Sequence, residues 1–331
     1  MLDPAVAAVR LAVRSALAPL PDGATVLVAL SGGADSLALA AATAHEARAR
    51  GIRVGSVTVD HGLQDGSHEI ALRAARQAAG LGIDPIVVRV EVGADGGPEA
   101  AARAARYAAL RDAAADAGAE AVLLGHTLDD QAETVLLGLA RGAGSGSLAG
   151  MSPARQDDRG VRWLRPLLGL RRPVTRDACA AAGLDPWDDP HNSEPRFSRV
   201  RVRERVLPLL EAELGPGIAE ALARTAEQLR EDAEAFAEMI EETIEDIVEP
   251  AEAGIAVSVA ALAANPAALR NRIIRHVVQS EFGVALTRTQ TLEVARLVTD
   301  WRGQGPIDLP ACTAARRGAL VVFAARDGVG G

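Results

Sequence analysis

Six residues near the N-terminus, SGGADS at 31–36, have the types and spacing to hold an anion. Gly32 and Gly33 let the main chain turn sharply and approach a phosphate with no Cβ in the way. A helix starting there aims its first N–H groups and the positive end of its dipole at that anion. Ser31 and Ser36 add hydroxyls. Asp35 is the telling member. A carboxylate in an anion cradle repels its ligand unless a divalent cation lies between, which suits Mg²⁺ carried with phosphates. Ser31 or Asp35 also reads as a plain helix cap. The stretch lacks the GxxxxGK[ST] spacing, and every one of the 35 basic residues is arginine, so neither a Walker lysine nor a Schiff-base lysine is available. GxGxxG is absent too, which disfavours a dinucleotide fold.

Other candidates lie farther along. Asp60 and His61 close a β-branched run at the edge where open α/β sheets bind ligands. Arg103 and Arg106 share a helical face, with Tyr107 beside them. Asp130, Glu133 and Thr134 share another by i, i+3, i+4 spacing. Each has a bland reading as well. Thr127 to Asp130 is a capping box, the arginines fit a solvated helix surface, and His126 is a lone histidine at a strand end.

These groups must be positioned by elements, and the first half supplies them. Short β-branched runs at 25–30, 53–60, 85–92, 120–126 and 162–168 alternate with Ala-rich helical stretches. That pattern predicts an α/β fold: a doubly wound, Rossmann-like, mostly parallel five-stranded sheet. A glycine-rich loop is expected at 141–150, and helices from Arg199 to Phe236. An acidic helix running to about Val248 meets PAEAG, which reads as a linker. A small α+β domain follows, with helices near 266–281 and 287–300 and β-like stretches at 306–309 and 319–324. The expected division is 1–215, a helical extension at 216–252, and 253–331.

Composition limits the function. Aromatics are 2%, so the core rests on Ala, Leu, Val and Ile, and no run reaches membrane-span length. The N-terminal 20 residues are amphipathic and carry Arg10 and Arg14, a poor signal peptide. Two cysteines far apart, Cys179 and Cys312, exclude a disulfide framework and a cluster held by this chain alone. They fit a reducing cytoplasm. The net charge is −9, yet ten acids and no arginine fall within 231–252. The rest carries 35 basic against 34 acidic residues, which keeps a nucleic-acid partner open.

SGG-x-DS after a first strand is similar to the PP-loop of N-type ATP pyrophosphatases. LDDQAET (128–134), RGAGSGSLAGM (141–151) and RPLL (165–168), in that order, resemble the tRNA(Ile)-lysidine synthetase family, and the likeness covers essentially 25–236. WRGQGPIDLP (301–310) extends it more loosely to the small domain. The resemblance implies a PP-loop (HUP-like) fold and a ligase that adenylates C2–O of the wobble cytidine of a CAU-anticodon tRNA(Ile). Free L-lysine then displaces AMP. It implies that Ser31, Gly32, Gly33, Ala34, Asp35 and Ser36, with Asp60 and His61, hold ATP and Mg²⁺. Arg106 would face the α-phosphate, and His126, Asp130 and Glu133 would line an acidic pocket for lysine and cytidine. Arg196, Arg199, Arg201, Arg203 and Arg205 would contact the tRNA backbone, with Arg270, Arg272, Arg275, Arg316 and Arg317 offered to the acceptor stem. The family pattern has a glycine pair after LP, where this chain has Ala311 and Cys312. A cytoplasmic enzyme is expected, a homodimer stays open, and no membrane is involved. The alternatives are a PP-loop tRNA thiolase, which needs cysteines this chain does not place suitably, and a non-catalytic nucleotide sensor, which needs no group at the α-phosphate.

Overall fold

The computed structural model describes residues 2–62, 66–91, 93, 97–142, 144–189, 194–251 and 254–326. The RGAGSGSLAGM motif at 141–151 therefore lies partly outside the described residues. The chain folds as two compact units, Met1–Arg230 and Glu231–Gly331.

The first unit is built on a six-stranded sheet. Its strands are β1 (Thr25–Ala29), β2 (Arg53–Asp60), β3 (Asp84–Arg89), β4 (Ala121–Leu123), β5 (Ala154–Gln156) and β6 (Arg162–Leu164), in the order β3-β2-β1-β4-β6-β5. Five run parallel as expected; β5 pairs antiparallel with β6. Three exposed residues, ARQ, are too few to show an alternation, so β5 leaves no sign in the sequence.

The unit's helices are α1 (Pro4–Leu17), α2 (Ala34–Arg48), α3 (Ser67–Gly80), α4 (Pro98–Asp116), α5 (Leu128–Ala140), α6 (Ser145–Leu148) and α7 (Arg172–Ala181), and between them α1–α4 and α7 cover both faces of the sheet. Alternation along β1 sorts the two cores. Val26 and Val28 pack with Val13 of α1, Leu37 of α2, Ala74 of α3 and Cys179 of α7. Leu27 packs on the other face with Leu110 and Ala114 of α4 and with Trp163. The order reverses at β1, whose neighbours are β2 and β4. Loops leaving β1 and β4 therefore diverge at one crevice, the usual ligand position of an open α/β sheet. The segment at 141–150 holds the helical turn α6 rather than loop alone.

Past the sheet come α8 (Ser198–Arg201), a π-helical turn at Val202–Val206, α9 (Leu207–Leu214) and α10 (Ile218–Ile247). From Glu231 onward α10 belongs to the second unit, where Phe236, Ile240, Ile244 and Ile247 enter its core. Its acidic residues, among them Glu238, Glu241, Glu242 and Glu245, are exposed. Five antiparallel strands follow in the order β7-β8-β11-β10-β9: β7 (Val248–Ala251), β8 (Gly254–Ser258), β9 (Ile307–Asp308), β10 (Cys312–Arg317) and β11 (Leu320–Ala325). They carry α11 (Val259–Ala264), α12 (Ala267–Phe282) and α13 (Arg288–Thr299). The expected PAEAG linker is instead hairpin, with Pro250 in β7 and Gly254 opening β8; Glu252 and Ala253 lie outside the described residues. Among the described residues no helix is long and apolar enough to cross a membrane.

Candidate active site at the switch point of the sheet

The SGGADS turn forms as its residue types require. Gly32 has φ +84°, a left-handed conformation that only glycine adopts cheaply. Gly33 is the N-cap of α2 without a side-chain cap, so the first N–H groups of α2 stay directed outward. Ser36 is buried, its hydroxyl donating to Gly33 O at 2.9 Å and lying 3.1 Å from Ser31 Oγ. Ala34 opens α2, and its carbonyl accepts from the Cys179 thiol. The loop leaving β4 presses on this turn: a Cβ on Gly125 would stand 3.1 Å from Asp35 backbone atoms.

Asp35 does not cap its helix. Its Oδ1 accepts from the Thr175 hydroxyl, and Arg172 Nε lies 3.6 Å from Oδ2. Burial pushes its carboxyl above the ordinary range, against the pull of Thr175 and Arg172. Asp60, at the end of β2, is buried and accepts from the Gly62 N–H at 3.0 Å and the Ser67 hydroxyl at 2.7 Å.

Across the crevice, Asp130 caps α5 and faces the site at once. Its Oδ2 accepts from Thr127 N at 2.8 Å, completing the capping box, while Oδ1 lies 3.1 Å from Arg172 Nη2. Burial alone would raise its carboxyl, but Arg172, Arg199 and the Thr127 N–H hold it below the usual range. Glu133 has no exposed side-chain surface and accepts from Arg203 Nε at 2.7 Å, Arg199 Nε at 2.8 Å and Arg172 Nη2 at 3.4 Å. The expected acidic pocket is therefore balanced by charge. Asp35, Asp130 and Glu133 face Arg172, Arg199 and Arg203, because buried carboxylates persist only when paired.

Two of the five arginines offered to RNA are thus turned inward. Arg196 pairs with Glu194 and stacks on Phe197, and Arg201 donates to the Pro195 and Arg196 carbonyls. Arg205 is exposed. Val200 and Val202 are buried as the alternation suggests, while Val206 is not.

Arg106 stands apart from these ion pairs, its guanidinium lying over the Tyr107 ring at 5.6 Å from the centroid. Its Nε is buried without a hydrogen-bond partner, and among the described residues no carboxylate forms an ion pair with it. His61 and His126 feel its charge. Burial, then Arg106, lowers the imidazole pKa of His61; burial, with Arg165, Arg106 and Arg199, drives His126 far down despite Asp130. Both are neutral at pH 7, and the Nδ1 of each is a buried atom without a partner, as is Nε of Arg165. A guanidinium that no described carboxylate neutralises, whose charge reaches two neutral imidazoles, favours an anion.

Sequence reasoning missed Arg172 and Thr175, whose partners lie 39 to 140 residues away and converge only through the sheet order. It missed Gln131, whose amide clasps Met151 in both directions at 2.7 and 2.9 Å and ends the glycine-rich segment. A Cβ on Gly150 (φ +64°) would meet that amide at 2.6 Å.

Residues 8–210 match the family model of the PP-loop domain, and 258–320 match that of the TilS substrate binding domain. A tRNA(Ile)-lysidine synthase of Leifsonia xyli subsp. xyli is 59% identical over 92% of this chain and 91% of its own length. One from Thermobifida fusca is 50% identical over 97% and 98%. The solved U34-tRNA thiolase NcsA from Methanococcus maripaludis, at 20% identity and TM-score 0.59, covers 69% of this chain and 80% of its own and shares the fold. With a family model matching in each unit and relatives 50–59% identical over more than nine-tenths of the chain, the chain belongs to the tRNA(Ile)-lysidine synthase family.

Proposed function

We propose that the chain is an AMP-forming C–N ligase that joins L-lysine to C2 of the wobble cytidine of a CAU-anticodon tRNA(Ile). The cytidine O2 attacks the α-phosphorus of ATP and pyrophosphate leaves. The lysine ε-amine then attacks C2, the C2–O bond breaks, and AMP departs. The observation that carries this reading is Arg106, whose buried Nε has no hydrogen-bond partner and whose charge reaches His126, next to the Gly125 that presses on Asp35. A fixed cation there is stabilising only when an anion arrives, and most so as charge builds on a phosphoryl oxygen.

The turn's N–H groups, with the Ser31 hydroxyl, bind the phosphates. Asp35 suits Mg²⁺: it is a single, quarter-exposed carboxylate at the cradle, and Mg²⁺ is commonly held by one carboxylate plus substrate phosphates. That ion would neutralise the departing pyrophosphate. Asp130 and Glu133 offer acceptors for the lysine ammonium, and the arginines around them match its carboxylate, so a zwitterion exchanges one set of charge-assisted hydrogen bonds for another. A carboxylate released from its arginine can also take the ammonium proton. Neutral His126 adds no positive charge against the incoming cation. One chain carries every group named, so the reading needs no second copy, and its substrates place it in the cytoplasm. A thiolase reading gains nothing from Cys179, which burial holds as a thiol with its pKa pushed up to about 11.

The test is incubation with ATP, Mg²⁺, lysine and an unmodified tRNA(Ile) transcript, followed by mass spectrometry of the wobble nucleoside. A cytidine heavier by one lysine less water is expected, made with AMP and pyrophosphate and lost on Asp35→Ala. AMP without attached lysine would refute the substrate assignment.

A further inference from the structure

The phosphate cradle is held from behind by a segment with no role in the reading above. Residues 184–189 leave α7 and cross the SGGADS turn. Leu184 N donates to Cys179 O at 3.0 Å, and Trp187 N donates to Gly32 O at 2.9 Å. A Cβ on Gly33 would lie 3.9 Å from Trp187 O, so the two backbones run in contact. Between those two points the segment is tied to α3. The Gln77 side-chain amide pairs with the peptide groups of Asp185 in both directions: Asp185 N donates to Oε1 and Nε2 donates to Asp185 O, each at 3.0 Å. Arg73, one turn earlier, donates to Asp185 O at 3.2 Å and forms an ion pair with its carboxylate. Ala74, between them, is the side chain that a Cβ on Gly32 would meet at 3.3 Å.

The consequence lies in the Gly32–Gly33 peptide. Its C=O and N–H point in opposite directions because the unit is planar and trans. With Trp187 N–H on the carbonyl, the Gly33 N–H faces the other way, toward Ser31 Oγ at 3.4 Å and the anion side of the turn. Glycine on both sides makes a flip of this peptide cheap. A flipped unit would aim a carbonyl dipole at the phosphates and withdraw a donor.

We propose that Gln77 and Arg73 are positioning residues for the ATP cradle. Through Asp185 they seat the Trp187 N–H on Gly32 O and so fix the Gly32–Gly33 peptide with its donor toward the phosphates. Neither touches the reacting atoms. The proposal rests on reading the cradle as an ATP-phosphate site.

Binding of a non-hydrolysable ATP analogue is measured by equilibrium dialysis, beside steady-state AMP formation and thermal melting. Gln77→Leu, nearly the same shape without the two hydrogen bonds, is expected to weaken analogue binding and raise the ATP KM about tenfold. Lysine KM and kcat at saturating ATP should stay within about twofold, the pattern of lost uniform binding. A general structural fault would instead lower kcat and the melting temperature together. Arg73→Asp and Asp185→Arg should each weaken ATP binding, and the reciprocal double exchange should restore it. Unchanged analogue affinity in Gln77→Leu overturns the proposal. If that variant does not fold, failure of the double exchange to restore affinity overturns it. Wild-type protein that binds the analogue yet makes no lysidine refutes the lysidine reading alone; wild-type protein that binds none refutes both.

Discussion

Charge at the residue scale separates groups that hold the fold from groups that wait for a ligand. Glu133 is fully buried and accepts from three guanidiniums, so it is part of the structure as much as of the site. Arg106 has no carboxylate partner among the described residues, only the face of Tyr107, and the burial of its Nε is a cost in the free protein. The two should therefore answer mutation in opposite ways. Glu133→Gln leaves three cations facing two carboxylates and should cost about 3 kcal/mol in denaturant unfolding; the arginines stay partly wet, which keeps the loss at the low end for a buried pair. Arg106→Met removes a half-buried charge that no described carboxylate neutralises and replaces it with an apolar chain of similar length. Its melting temperature should hold or rise, while AMP formation falls about 10²–10³-fold, as for a lost transition-state donor. A large loss of stability in Arg106→Met would mean that the guanidinium is a structural strut.

Element geometry bears on the place where Ala311 and Cys312 stand instead of the glycine pair expected after LP. Ala311, in the turn between β9 and β10, has φ +64° and is the one non-glycine described residue in the left-handed region. The turn keeps its shape through Leu309 N to Cys312 O at 3.0 Å and Arg326 N to Ala311 O at 3.1 Å. Cys312 then fills the core of the second unit. An L-residue costs about 1–2 kcal/mol in that conformation, and glycine returns about 0.4–1 kcal/mol of that to the unfolded chain. Ala311→Gly should therefore stabilise by about 0.5–1 kcal/mol, read as a higher denaturant midpoint at unchanged slope; a lower midpoint would show that Ala311 makes contacts worth more than its strain. The same scale shows what was legible. Runs such as TVLVA and RVGSVTVD are buried strands whose composition declares them, and SGGADS declares its turn. β7 was hidden because Pro250 reads as a break, yet β7 lies at the edge of its sheet, where a missing N–H costs no ladder bond. Arg172 was hidden because nothing near it in sequence is its partner; only strand order brings α7 to α5.

Over the whole molecule, a net charge of −9 must still accommodate a polyanion, so what matters is which cations remain free. Spacing alone presents Arg196 to Arg205 as one basic stripe. The structure splits it. Arg199 and Arg203 are already neutralised by Glu133 and Asp130, whereas Arg201 and Arg205 are exposed and form no ion pair with a described carboxylate. Counterion release counts only charges that replace salt around phosphates. If the stripe meets the tRNA backbone, Arg205→Ala should lower the magnitude of the slope of log affinity against log salt by about 0.9, measured by filter binding between about 50 and 200 mM salt. Arg203→Ala should leave that slope nearly unchanged. It should instead weaken binding at every salt concentration, because it uncovers the Glu133 carboxylate. Equal slope changes in the two variants would mean that RNA draws Arg203 off Glu133 on binding, and an unchanged slope in both would place the tRNA backbone elsewhere.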